Sequence, residues 1–152
     1  MSLIQPAECR LNFLSNSPEE TFNLGKRIAL SLCAGSVVAL EGALGSGKTC
    51  MAKGIACGLG ITENITSPTF TIINEYTGEK ISSLYHIDAY RLEGDKDFEE
   101  IGGDEIINSG GICIIEWSQN IKKHIPENAV VVTLNITGNE SREIKITGLD
   151  II

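Results

Sequence analysis

Eight consecutive residues, Gly42-Ala43-Leu44-Gly45-Ser46-Gly47-Lys48-Thr49, constrain this chain more than any other stretch. They satisfy the pattern G-x-x-x-x-G-K-[ST], which works only as a turn between a strand and a helix. Each fixed position has a physical task. The glycines let the backbone curl until successive N–H groups point inward, where they bind phosphate oxygens. Lys48 adds a mobile positive charge for β- and γ-phosphates, and the Thr49 hydroxyl suits a Mg2+ ion. The flanks agree with this reading. Residues 36–41 are a short apolar run, expected to be a buried parallel strand. Downstream, Met51, Ile55 and Leu59 recur at helical spacing beside Ala52 and Ala56, and Gly58 and Gly60 close the helix. Such a helix aims its partial positive end at the phosphates. The expected nucleotide-binding set is Gly42, Leu44, Gly45, Ser46, Gly47, Lys48, Thr49 and Cys50.

The rest of the chain supplies elements of both kinds. Residues 10–15 alternate as a strand, and Ser17-Pro18-Glu19-Glu20 is a capping box with Pro at the first helical position. The helix that follows, with Phe22, Leu24, Ile28 and Leu32 on its apolar face, is expected to stop at Gly35. Residues 69–76 and 81–90 read as two strands around a turn at Gly78, and 97–108 as a short helix interrupted at Gly102-Gly103. Residues 111–116 form a buried strand ending in a carboxylate, and 129–137 with 143–147 a final hairpin. No repeat, linker or low-complexity segment interrupts residues 1–152, which predicts a single sheet-centred α/β domain.

Composition narrows the partners. A net charge of −8 with only 12 basic residues argues against a broad nucleic-acid surface. The five cysteines, Cys9, Cys33, Cys50, Cys57 and Cys113, form no C-x-x-C pair and suggest neither zinc nor a disulfide framework. Three of them lie in apolar contexts, where free Cys is a small hydrophobe. A reducing, cytoplasmic setting is expected, with no signal peptide and no membrane span.

A phosphate loop needs a partner carboxylate, normally at the end of an adjacent apolar strand. Glu116, after four apolar residues, is the best candidate, although Asp is commoner there and the bland alternative is a strand-ending surface Glu. Trp117 either packs beside the site or fills the core. His86, Asp88 and Tyr90 share one face if residues 86–91 are extended, so Asp88 is a candidate to orient the attacking water near a γ-phosphate or to hold a Mg2+-bound water; a solvated edge strand fits the same pattern. Ser67 and Thr69, around Pro68, offer hydroxyls as a possible phosphate-sensing switch, or simply a turn. His124, beside Lys122 and Lys123, reads as a surface residue.

Taken together, the stretches 42–49, Ser67-Pro68-Thr69-Phe70, His86-Ile87-Asp88-Ala89-Tyr90-Arg91-Leu92 and Ile112-Cys113-Ile114-Ile115-Glu116-Trp117 resemble the TsaE (YjeE) family in order and spacing. That family comprises bacterial ATPases of tRNA threonylcarbamoyladenosine biosynthesis. The resemblance covers most of the chain, from the helix after Ser17 to about Trp117, with a looser C-terminal hairpin. It implies a three-layer P-loop NTPase fold with a mostly parallel central sheet and a C-terminal antiparallel hairpin. It also implies ATP and Mg2+ as ligands, with Thr49 and Glu116 holding the metal and Lys48, Asp88 and Glu116 serving catalysis. The implied partners are TsaB and TsaD, with tRNA reached only through them and ATP hydrolysis resetting the complex. Two positions depart from the family: Ala43 stands where Asp is usual, and Cys50 where Thr is common.

Other functions are harder to fit. A small-molecule kinase clamps transferring phosphates with several arginines, and this chain has only Arg10, Arg27, Arg91 and Arg142. No Asn-Lys-x-Asp element reads guanine, which favours ATP over GTP. A nucleotide-dependent interaction module with negligible turnover fits the same motifs as a slow ATPase.

Overall fold

A computed structural model describes residues 10–66 and 73–149. Strand β1 (Arg10–Ser15) leads into helix α1 (Pro18–Ala29), followed by β2 (Val37–Gly42) and α2 (Lys48–Gly58). Next come β3 (Ile73–Tyr76), β4 (Leu84–Asp88), and the short helices α3 (Asp95–Glu100) and α4 (Gly103–Ile107). Strand β5 (Ile112–Glu116), a 3-10 segment (Ser118–His124), β6 (Val130–Ile136) and β7 (Arg142–Thr147) complete the order.

Local chemistry accounts for most of these boundaries. Ser17 caps α1 by accepting the Glu20 N–H at 3.1 Å, and the Glu20 carboxylate reaches back to the Asn16 N–H at 2.6 Å. The capping box is therefore shifted by one residue from its usual reciprocal pairing. Helix α1 ends at Ala29, earlier than Gly35, because Ser31 and Leu32 N–H groups turn back to Ile28 and Ala29 carbonyls at 3.0 and 3.2 Å. Gly35, at φ 87°, instead makes the turn into β2. The expected helix over 97–108 is two helices, parted at Gly102 (φ 79°). Strand β4 stops at Asp88 because the Asp88 carboxylate accepts the Tyr90 N–H at 2.9 Å, a local turn that ends the ladder.

The strands form one seven-stranded sheet in the order β1-β7-β6-β2-β5-β4-β3. Its four middle strands are mutually parallel, and both flanks are antiparallel. Helices cover both faces. On one face Leu24, Ile28, Met51 and Ile55 of α1 and α2 pack on Val38, Leu40, Ile114 and Ile144. On the other, Phe98, Ile107 and Ile121 pack on Ile87, Cys113 and Ile115. This is the expected three-layer arrangement with a C-terminal hairpin. Strand β5 is buried at every position, which is what a continuous apolar run between two helical layers requires. Strand β1 returns to pair with β7, so the hairpin has a partner on its outer edge. Among the described residues no helix is long and apolar enough to cross a membrane.

Candidate nucleotide site

The site forms where β2 ends, with β5 and β6 on either side of it. In an open parallel sheet this carboxyl edge is where ligands bind. A side chain on Gly42 would collide with the Ser46 side chain and lie 2.8 Å from the Leu134 carbonyl, so glycine alone lets the turn begin. Gly45 and Gly47 sit at φ 77° and 104°, conformations that L side chains resist, and Gly47 opens α2.

Lys48 lies inside this turn, only 5% exposed. Its ammonium donates to the carbonyls of Gly42 and Ala43, both at 2.8 Å, and to Ser46 Oγ at 3.4 Å. It also stands 4.0 Å from the centre of the Trp117 ring. Burial holds its pKa below the usual lysine value, and the charges of Glu116 and Asp88 oppose that shift.

Glu116 is the second half of the site. It is 3% exposed, which excludes the surface alternative. One carboxylate oxygen accepts the Thr49 hydroxyl at 2.9 Å, and the other lies 2.5 Å from His86 Nε2. His86 is fully buried, on a strand interior to the sheet, so the solvated-edge alternative for residues 86–91 is also excluded. Asp88 stands opposite Glu116 in the β4–β5 register and is partly exposed. Tyr90 lies beyond the strand end and does not continue its face; its ring packs against Trp117 at 4.8 Å. Trp117 therefore belongs to the site, in a left-handed conformation (φ 57°) that turns the chain out of β5.

Several residues singled out by the sequence sit differently in detail. Leu44 is 77% exposed at the tip of the turn, so its backbone is what it can offer a phosphate. The Cys50 thiol donates to the Pro18 carbonyl at 3.1 Å, tying α2 to the start of α1. Ser67 and Thr69 lie outside the described residues. His124 is not a plain surface residue: its side chain is 11% exposed, accommodated against Phe98, with Nδ1 2.8 Å from Asp104 Oδ1. Among the described cysteines Cys33 and Cys57 are exposed and Cys50 is half-buried, whereas Cys113 is buried and its pKa is pushed up to about 11 by that burial.

Sequence reasoning missed the frame around the turn. In the 3-10 segment Ser118 Oγ donates to the Leu40 carbonyl at 3.2 Å and Gln119 Nε2 to the Gly42 carbonyl at 3.4 Å. Asn120 ties the segment to the Ala89 carbonyl at 2.9 Å. Arg142, at the start of β7, donates to the carbonyls of both Gly45 and Ser46 at 3.1 Å. The polar run Ser118-Gln119-Asn120 directly after a buried strand was the one available signal. Arg142 gave none, because its contacts with the loop join positions 96 and 97 residues apart.

A glycine turn leaving the central strand, a lysine curled inside it and a threonine paired with a carboxylate on the next strand define the P-loop NTPase fold class. Residues 15–144 match the model of the family described as threonylcarbamoyl adenosine biosynthesis protein TsaE. The chain belongs to the TsaE family. It is 44% identical to the tRNA threonylcarbamoyladenosine biosynthesis protein TsaE of Treponema pallidum, over 88% of this chain and 97% of that protein. Its identity to the protein of the same name from Bacillus subtilis is 40%, over 92% and 87% of the two chains. The crystal structure of YdiB from Bacillus subtilis is similar with a TM-score of 0.79 and 36% identity, covering 94% of this chain and 88% of that one.

Proposed function

We propose that this protein is a Mg2+-dependent ATPase required for forming N6-threonylcarbamoyladenosine at position 37 of tRNAs that read ANN codons. It acts in the cytoplasm with the TsaB–TsaD complex. The observation that carries the ATPase reading is the Thr49–Glu116 contact of 2.9 Å beside the buried Lys48 ammonium. The pathway reading is supported by family membership and by the names its relatives bear.

The residues have separable tasks. The loop N–H groups and the start of α2 receive the phosphates. The Lys48 ammonium exchanges its loop carbonyl partners for β- and γ-phosphate oxygens, a charge-assisted contact. Thr49 Oγ1 and Glu116 Oε1 converge as hard oxygen donors, the set that suits Mg2+, and His86 fixes the other Glu116 oxygen. Mg2+ held there would supply neutralisation of the phosphate charge. Asp88, adjacent to Glu116 in register and partly exposed, orients the attacking water and takes up its proton. Cys50 contributes its backbone N–H, since its thiol faces α1. The net charge of −8 leaves tRNA to the partner complex.

Calorimetric titration with a non-hydrolysable ATP analogue and Mg2+ tests the site. Lys48→Ala should bind roughly 10- to 100-fold more weakly, the loss of one charged hydrogen-bonding group, with an unchanged circular dichroism spectrum. Equal affinities would sink the assignment.

A further inference from the structure

Arg142 lies at the start of β7, opposite Ile136 of β6 and Ser15 of β1. This places it at the same edge of the sheet as the phosphate loop, because Gly42 pairs with Leu134 on β6. Its guanidinium faces two ways. Nε donates to the Ser46 carbonyl and Nη2 to the Gly45 carbonyl, both at 3.1 Å. Nη1 donates to the carbonyls of Ser141 at 2.8 Å and Gly138 at 3.0 Å, in the turn between β6 and β7. One rigid fork thus fastens two consecutive peptide groups of the loop to the tip of the C-terminal hairpin.

We propose that Arg142 is a positioning residue that holds the phosphate loop in its binding conformation by bracing those peptide planes from outside. The inference rests on reading residues 42–49 as the nucleotide phosphate site. A trans peptide is planar, with its C=O and N–H pointing in opposite directions. Pinning the oxygens of Gly45 and Ser46 outward therefore turns the N–H groups of Ser46 and Gly47 inward. The Ser46 N–H donates at 3.1 Å to the Ala43 carbonyl, the same oxygen that receives the Lys48 ammonium, so it does face the interior. The brace sits where the loop most needs it. Gly45 and Gly47 flank these planes at positive φ, and glycine is the residue freest to flip them. A hydrogen bond from a cation to the carbonyl also polarises the peptide, which strengthens its N–H as a donor. Lysine cannot substitute, because a point charge on a flexible stem does not span two carbonyls in fixed geometry.

The test is ADP titration by calorimetry in EDTA with the full chain, for wild type, Arg142→Ala, Arg142→Lys, Lys48→Ala and Thr137→Ala. Thr137→Ala removes the Thr137–Ser141 hydroxyl contact of 3.0 Å, loosening the hairpin tip without touching the loop. Arg142→Ala should bind ADP about tenfold more weakly or worse, the range expected for losing paired hydrogen bonds to a charged group. Arg142→Lys should recover little of that loss, and Thr137→Ala should bind like wild type. Full recovery in Arg142→Lys would show that charge alone suffices and would overturn the brace. So would an equal loss in Thr137→Ala, or unchanged binding in Arg142→Ala while Lys48→Ala has lost it. Absence of ADP binding by the wild type would instead overturn the phosphate-site reading, and this inference with it. Should Arg142→Ala fail to fold, Arg142→Lys alone decides the outcome.

Discussion

Glu116 ends a strand on which every residue is buried, and a carboxylate there is tolerated only with partners on both oxygens. Thr49 and His86 provide them. The Glu116 side chain reaches from the end of β5 to the Thr49 hydroxyl at the start of α2. If this contact marks the metal position, Glu116→Ala should slow Mg2+-dependent hydrolysis by tenfold or more, in line with losing a metal-site group, while changing ADP affinity in EDTA by less than about threefold. Steady-state rates across a Mg2+ titration, set beside the EDTA binding curve, check this. An unchanged magnesium dependence would leave Glu116 only the role of satisfying Thr49 and His86. Glu116 was legible in the sequence because four apolar residues precede it. Its His86 partner was not, since that contact joins two strands 30 positions apart and no local pattern records it.

Helices α1 and α2 meet through glycines, and this close approach sets where α2, and therefore Lys48 and Thr49, begins. A Cβ on Gly25 would lie 2.6 Å from the Met51 carbonyl, and one on Gly54 would strike the Phe22 carbonyl. In an exposed helix Gly→Ala stabilises by roughly 1 kcal/mol. Here the sign should reverse. Gly54→Ala must push α1 off the sheet, destabilising by about 2 kcal/mol and lowering Tm by about 4–8 °C in a thermal melt. A raised Tm would mean that the helices have room between them. At this scale the sequence was most informative where structure is set locally. The Ser17 cap, the break at Gly102 and the end of α2 near Gly58 all follow from residues within a turn of each other. The 3-10 segment escaped notice because it is polar and aperiodic, with a kink at Ile121 (φ −134°). The pairing of β1 with β7 escaped it because strand partners far apart in sequence leave no periodic trace.

At the scale of the whole molecule, the proposed phosphate site receives little cationic help. The chain has four arginines, and Arg142, the one against the loop, commits its N–H groups to carbonyls. Phosphoryl transfer depends on neutralising charge in the transition state, and P-loop proteins short of that charge hydrolyse slowly until a partner supplies it. A net charge of −8 equally disfavours direct binding of tRNA, and both gaps are consistent with the proposed action beside the TsaB–TsaD complex. The most direct measurement is steady-state ATP hydrolysis by the protein alone and with TsaB–TsaD, using Lys48→Ala as the control. Slow turnover alone, at least a tenfold rise with the complex, and loss of that rise in Lys48→Ala are expected. A rate indifferent to TsaB–TsaD, or a Lys48→Ala variant as active as wild type, would contradict it.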